Sequence, residues 1–450
     1  MSELTLPEKW ESCRFDAVAR VVSGKNQKEV ENPEGEYPIY GSGGSFGRAT
    51  SYLCEPGTTV IGRKGTINSP IFVNERFWNV DTAFGLCPLN SDALLPRLLY
   101  YFCRSFNFAA LDKSTTIPSL AKRDIEAIAF PLPPLAEQKR IVSKIEELFS
   151  ELEAGEECLR VARRQLGVYR QSLLKQGFEG HLTAKWRTQN PAQLESLGDS
   201  DVPAEELGGF AELPPGWRYT RFGRFVRHID AGKSFRCEER RPRPDEIGVA
   251  KVSAVTWGEY DEAESKTCID PKKINPSYFI RPGDFILSRA NTIELVGASV
   301  IVRQVTQNVM LSDKTLRLTM DDTLKPFFLQ YLRSRQGRLQ IEKRSTGNQE
   351  SMRNIGQDRI RSIIVPECSL PEQQEIVRLL DEQFEAIERN EREIDGALRK
   401  SEALRQAILQ KAFTGRLVPQ SPADEPASTL LARLRAARDE YNKSFSSKSL

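Results

Sequence analysis

Three short turns hold the residues best placed to do chemistry in this chain. YGSGGSFGRA (40–49) carries Ser42, Ser45 and Arg48, GRKGT (62–66) carries Arg63, Lys64 and Thr66, and SRANT (288–292) carries Ser288, Arg289, Asn291 and Thr292. Glycine and other small residues bring these side chains forward, which suits recognition better than bond-making. In a DNA major groove arginine suits guanine and asparagine suits adenine, while lysine more often meets phosphate. Arg236 belongs to a basic block, 218–243, in which nine cations face only Asp230, Glu238 and Glu239. Such a block is either a solvated surface or a phosphate-contacting one. Asp81 and Asp313, in VDTAF and LSDKT, follow similar strands and serve either to buttress a turn or to touch nucleic acid. Glycine turns and exposed arginines are common in β-rich domains, so a purely structural role competes at every one of these positions.

Catalytic chemistry finds little support. The two histidines, His181 and His228, have no second metal ligand near them in sequence. AGKS (231–234) resembles part of a phosphate loop, but position 227 is arginine where that loop needs glycine. SGK (23–25) continues with Asn26, YGSGGSFG lacks the GxGxxG spacing, and NPAQ (190–193) falls short of an adenine-methyltransferase NPPY. Eight cysteines stand singly with no CxxC pair, which suits reduced thiols in a cytoplasm and argues against a disulfide frame or a zinc site. No metal site is expected.

The chain is written twice. LPPLAEQKRIVSKIEELF (132–149) returns as ECSLPEQQEIVRLLDEQF (367–384), and YRQSLLKQGFEGHL (169–182) as LRQAILQKAFTGRL (404–417), in one ungapped register. LPEKWESCRF (6–15) lies over LPPGWRYTRF (213–222), PGTTVIGRKGTI (56–67) over PGDFILSRANTI (282–293), and LLPRLLYYFCRS (94–105) over LKPFFLQYLRSR (324–335). Between these anchors the halves diverge and differ in length. The order is variable module, fixed segment, variable module, fixed segment.

The fixed segments must be long helices. Prolines at 131, 133 and 134 stop what precedes, and Glu137 sits in the first turn, where the helix dipole favours an acid. Apolar or small residues then recur at spacings of three and four, with Gly155, Ala162 and Tyr169 completing the first stripe and Gln383, Asn390, Ala397 and Ser401 the second. The residues expected to pair the helices are Ile145, Leu148, Leu152, Leu159, Leu166, Leu173, Leu380, Ile387, Ile394, Leu404 and Ile408. Gly180 and Gly415 read as terminators. Helices of about forty residues span on the order of 60 Å. The expected fold is α+β: two mixed α/β modules separated by two long helices paired as an antiparallel coiled coil, with an internal pseudo-two-fold repeat. The expected boundaries are 1–131 for the first module, 132–187 for the first helix, 188–212 for a linker, 213–365 for the second module, 366–420 for the second helix and 421–450 for a tail.

With 39% hydrophobic and 28% charged residues and a net charge of +2, the 450-residue chain has an ordinary globular composition. No apolar run is long enough to span a membrane, and the N-terminus lacks the pattern of a secretory signal, so a cytoplasmic location is expected. The paired helix starts PLPPLAEQKRIV and LPEQQEIV, the paired ends RQSLLKQGFEGHL and RQAILQKAFTGRL, and their alternation with two variable modules resemble the specificity subunit of a type I restriction–modification system. The likeness runs over nearly all of residues 1–420. It implies two target-recognition domains, each reading one half of a split site in double-stranded DNA, with the helices holding them apart. It also implies two modification subunits that bind S-adenosylmethionine and methylate adenine, and restriction subunits that translocate and cut with ATP and Mg. This chain itself would hold no cofactor and make no bond. Two other readings compete: a coiled-coil scaffold whose modules bind protein, and a specificity subunit serving methylation only.

Overall fold

The computed structural model describes residues 6–114, 117–256 and 258–446. Two units emerge that do not follow the linear order: 1–160 joins 394–450 in the first, and 161–393 forms the second. The first carries β1 (Glu11–Arg14), β2 (Ala19–Ser23), β3 (Tyr37–Gly41), β4 (Gly44–Ala49), β5 (Thr58–Gly62), β6 (Ile71–Val73), β7 (Trp78–Asn79), β8 (Ala83–Pro88) and β9 (Ala129–Leu132). Its main sheet has the order β2-β8-β5-β6, antiparallel throughout. β5, with sequence TTVIG, is buried at every position, as a β-branched central strand should be. A second sheet, β4-β3-β7, carries the glycine-rich turn, and β1 pairs with β9 to close the module. Helices α1 (Pro96–Ser105) and α2 (Lys122–Glu126) complete it, with Leu98, Leu99 and Phe102 of α1 in the core.

The first long helix is α3 (Leu135–Phe178), followed by α4 (Ala184–Gln189). The second unit then lays down β10 (Arg218–Arg221), β11 (His228–Ala231), β12 (Cys237–Glu238), β13 (Gly248–Ala250), β14 (Ser265–Cys268), β15 (Phe285–Ser288) and β16 (Ala290–Asn291). It continues with β17 (Ser299–Ile301), β18 (Val309–Met310), β19 (Thr315–Thr319), β20 (Thr346–Gln349), β21 (Met352–Asn354) and β22 (Ile364–Glu367). Its helices are α5 (Lys325–Arg333), α6 (Arg335–Arg344), α7 (Gln357–Arg361) and the second long helix, α8 (Leu370–Phe413). The main sheet, β11-β19-β15-β17, repeats the strand order of the first, and the closing pair β10–β22 repeats β1–β9. The remaining sheets differ: β12-β14-β13-β18 and β16-β21-β20 have no counterpart of the same form among the described residues of the first unit. The duplication therefore preserves the frame and varies what is mounted on it.

α3 and α8 pair antiparallel. In the first unit Ile141, Ile145 and Phe149 of α3 share a core with Leu409, Ala412 and Phe413 of α8, and Leu152 and Ile408 pack against it. In the second, Leu173, Leu174 and Phe178 meet Ile376, Leu380, Phe384 and Ile387, with Leu166 at the edge. Leu148 and Leu159 are half-buried and Ile394 is buried. Leu404 departs from the expected stripe: it is 52% exposed, while Arg405 beside it is 7% exposed. Arg405 lies in the seam because it is paired there, its guanidinium 3.0 Å from Glu156 and 3.4 Å from Glu153, with the Ser401 hydroxyl donating to Glu156 at 2.6 Å. A similar exchange moves exposed Asn390 out of the stripe and brings in Glu391, which Arg170 meets at 3.5 Å. Ion pairs, which an apolar heptad template does not anticipate, thus set the seam's register. Leu404→Lys is accordingly expected to change stability by no more than about 0.5 kcal/mol in urea denaturation; a loss of several kcal/mol would put Leu404 back in the seam.

The segments read as linker and tail both carry side chains that pack into a core. The segment 188–212 is not a bare linker, because Val202, Leu207 and Phe210 pack on Tyr219 and Ile364. The C-terminal tail forms α9 (Ala427–Ser446), whose Ala427, Leu430, Leu431 and Leu434 enter the core of the first unit. Positions 447–450 of the tail lie outside the described residues. No helix among the described residues is long and apolar enough to cross a membrane.

Candidate nucleic-acid interface

Arg63 and Arg289 stand at the same place in the two modules. Each follows the central strand of its main sheet, β5 or β15. The Arg63 N–H donates to Thr82 O at 2.8 Å, and the Arg289 N–H donates to Lys314 O at 2.8 Å. Each arginine's own carbonyl then accepts from a later segment, Leu120 N at 2.9 Å and Ile355 N at 3.0 Å. One residue further on, Lys64 bridges Ser119, and Ala290 pairs with Asn354. These matched bonds fix two backbone-defined turns whose side chains differ: RKGT in one, RANT in the other.

The expected contact residues divide into those left available and those already engaged. Lys64, Thr66, Ser45 and Arg289 are exposed, and Asn291, Thr292 and Ser42 are half-buried. Asn291 turns its carbonyl oxygen to Thr292 N at 2.9 Å. Arg63 is half-buried over the Phe84 ring, 5.7 Å from its centroid. Arg48 is exposed, but its guanidinium already donates to Gly35 O at 2.6 Å and Glu36 O at 2.7 Å, holding the preceding loop. Ser288 is a correction: it is fully buried in β15, and its hydroxyl has no hydrogen-bond partner among the described residues.

The basic block is partly spent on itself. Arg218 and Arg224 meet Glu367, Arg221 meets Glu206, and Arg240 meets Glu238 and Glu246. Arg240 holds the Glu246 carboxyl down to about 2. Arg236 is exposed, as are Lys233, Arg241 and Arg243, and none of them makes an ion pair among the described residues. Gly24 and Gly232, the glycines of SGK and AGKS, have a steric role: a Cβ there would lie 1.8 Å from Val80 O or Leu311 O. No group of three or more metal-ligating side chains occurs among the described residues.

Each module is fastened to its long helices by a buried carboxylate that sequence reasoning placed only on the helix dipole. Glu137, 1% exposed, accepts from the Trp10 indole at 3.0 Å and from the Gln420 amide at 2.6 Å. Burial raises its pKa, and those two hydrogen bonds oppose the rise. Glu372, also 1% exposed, accepts from the Trp217 indole at 2.9 Å, the Thr183 hydroxyl at 2.7 Å and the Arg187 guanidinium at 2.5 Å. The aligned tryptophans of LPEKW and LPPGW were the available signal. Gly180 (φ 76°) and Gly415 (φ 69°) end α3 and α8 in the left-handed region, each against a module's opening proline, Pro214 or Pro7.

Comparison with known proteins agrees with this architecture. Residues 7–158 match the family model described as the type I restriction modification DNA specificity domain. The chain is 23% identical over 461 residues, covering 97% of each partner, to the type I restriction enzyme EcoDI specificity subunit of Escherichia coli. The EcoEI specificity subunit of Escherichia coli is 30% identical over 234 residues, 51% of this chain and 38% of that one. A solved structure described as the basis of complex assembly and conformational transition of the type I R-M system shares the fold, with a TM-score of 0.64 and 19% identity over 92% of this chain and 100% of that chain. With its duplicated frame, paired helices and matched arginine turns, the chain is similar over nearly its whole length to type I restriction–modification specificity subunits, and its residues 7–158 match their DNA specificity domain.

Proposed function

We propose that the two modules read the two halves of a split, asymmetric DNA site, and that α3 and α8 dock two copies of a modification subunit. The observation that carries this reading is the matched pair of arginine turns. Their backbones are held identically, while the side chains beside them and the accessory sheets around them differ. Identical frames with different reading groups fit two different half-sites. The antiparallel, repeated helix pair offers two similar faces, which suits two copies of one partner. In this reading the chain makes no bond and holds no cofactor. S-adenosylmethionine belongs to the modification subunits, and ATP with Mg to restriction subunits where these join.

Methylome sequencing of cells expressing this chain with its modification subunit tests the proposal. The expected result is a split, asymmetric N6-methyladenine motif that vanishes without this chain. An assembled complex that leaves no motif would overturn it. Arg289→Ala is expected to weaken recognition of one half-site by about 1–3 kcal/mol, seen as relaxed preference there alone. An equal loss on all DNA would make Arg289 a phosphate contact.

A further inference from the structure

Asp81 and Asp313 occupy matching positions that the arginine turns alone do not explain. Each is the second residue of a four-residue turn, 80–83 and 312–315, closed by Ala83 N donating to Val80 O at 3.0 Å and by Thr315 N donating to Ser312 O at 3.3 Å. In each turn the next carbonyl, Thr82 O or Lys314 O, takes the arginine N–H. The carboxylates do not hold these turns. In the second turn the Thr315 hydroxyl accepts from Ser312 N at 2.9 Å, the bond an aspartate would otherwise supply. Neither the Asp81 nor the Asp313 carboxylate makes a hydrogen bond or ion pair among the described residues, although the Asp81 backbone carbonyl accepts from the Arg63 guanidinium at 3.4 Å. Both open on clefts. Asp81 shares about 440 Å³ with the glycine–serine turn at 41–46, and Asp313 shares about 400 Å³ with Arg289, Asn291, Lys314 and Asn354.

An unpaired carboxylate is a poor choice for a surface that phosphates approach, because like charges repel within a Debye length, about 8 Å at physiological salt. The electrostatic argument reverses at a base edge that offers a donor. An ionised carboxylate only accepts hydrogen bonds, so it is repelled by guanine N7 and O6 and by thymine O4. Adenine sets its N7 acceptor beside its N6 donor, which favours a bidentate amide over an acid. Cytosine presents its N4 amine with no acceptor on its own major-groove edge, the pairing an acid is suited to accept from. We propose that Asp81 and Asp313 are specificity-determining residues, each accepting a hydrogen bond from a cytosine N4 amine, one in each half-site. This inference rests on the reading of the modules as DNA readers.

The test uses full-length chains carrying Asp313→Ala, Asp313→Asn, Asp81→Ala or Asp81→Asn, each in complex with the modification subunit, with methylation mapped across a genome. Each alanine variant should relax one cytosine position of one half-site, lowering its preference by about 10- to 100-fold and leaving the other half-site unchanged. Each asparagine variant, which keeps the side-chain shape if alanine disturbs the turn, should redirect that position toward adenine. Unchanged motifs in all four variants would overturn the inference while the DNA-reading proposal stands. So would a uniform rise in binding to all DNA, which marks a merely repulsive surface acid. Absence of any motif with the unsubstituted chain would sink the reading of the modules, and this inference with it.

Discussion

Glu372→Ala should lower the unfolding free energy by about 3–5 kcal/mol, the loss seen when one member of a buried ion pair is removed. The substitution strands the Arg187 guanidinium, whose side chain is only 14% exposed, together with the Trp217 indole N–H and the Thr183 hydroxyl. Arg187 also donates to Gly180 O at 2.6 Å, so the end of α3 is disturbed as well. The pseudo-equivalent Glu137→Ala should cost less, about 1–3 kcal/mol, because its partners Trp10 and Gln420 are neutral and leave behind unsatisfied donors but no buried charge. Urea denaturation of the two variants checks the ranking. Equal losses would mean that the Arg187 charge is solvated by rearrangement and that the ion pair contributes nothing beyond its hydrogen bonds.

Phe102→Ala carries the second large expected loss, about 3–5 kcal/mol. Phe102 is 5% exposed, with ring centroids 4.6 Å from Phe130, 5.5 Å from Phe413, 5.9 Å from Phe106 and 6.3 Å from Phe15. These neighbours come from the closing strand, α8, the segment after α1 and the segment after β1, so one ring joins four parts of the first unit's core. Hydrogen exchange should therefore quicken at residues 409–413 as well as along α1. A loss below about 1.5 kcal/mol with unchanged exchange in α8 would show that the core collapses around the gap.

Much of this architecture is legible in the residues, because repetition reveals it twice. The register joining 132–149 to 367–384 found both long helices, and the proline–glycine anchors at 56 and 282 found both central strands and their arginine turns. The misreadings share one physical origin: an apolar or polar label says nothing about a partner far away in the chain. Leu404 looked like a seam residue and Arg405 like a surface one until Glu153 and Glu156 were brought alongside. Ser288 follows the pattern of an exposed turn but lies on the last, buried position of β15. The polar composition of 188–212 concealed the few apolar side chains that dock on Tyr219. Trp10 and Trp217 aligned perfectly well, yet nothing local says that an indole 127 or 155 positions away will meet a glutamate.

The discontinuity of the first unit has a consequence for synthesis on the ribosome. Its two stretches, 1–160 and 394–450, are separated in the chain by the whole of the second unit. Ile141, Ile145 and Phe149 emerge roughly 260 residues ahead of Leu409, Ala412 and Phe413, the side chains that cover them. At about 5–20 residues per second that interval is on the order of 13–50 s. The second unit, continuous in sequence, needs no later segment to complete it. The module made first is thus finished last, and its apolar helix face must be kept from other nascent chains in the meantime.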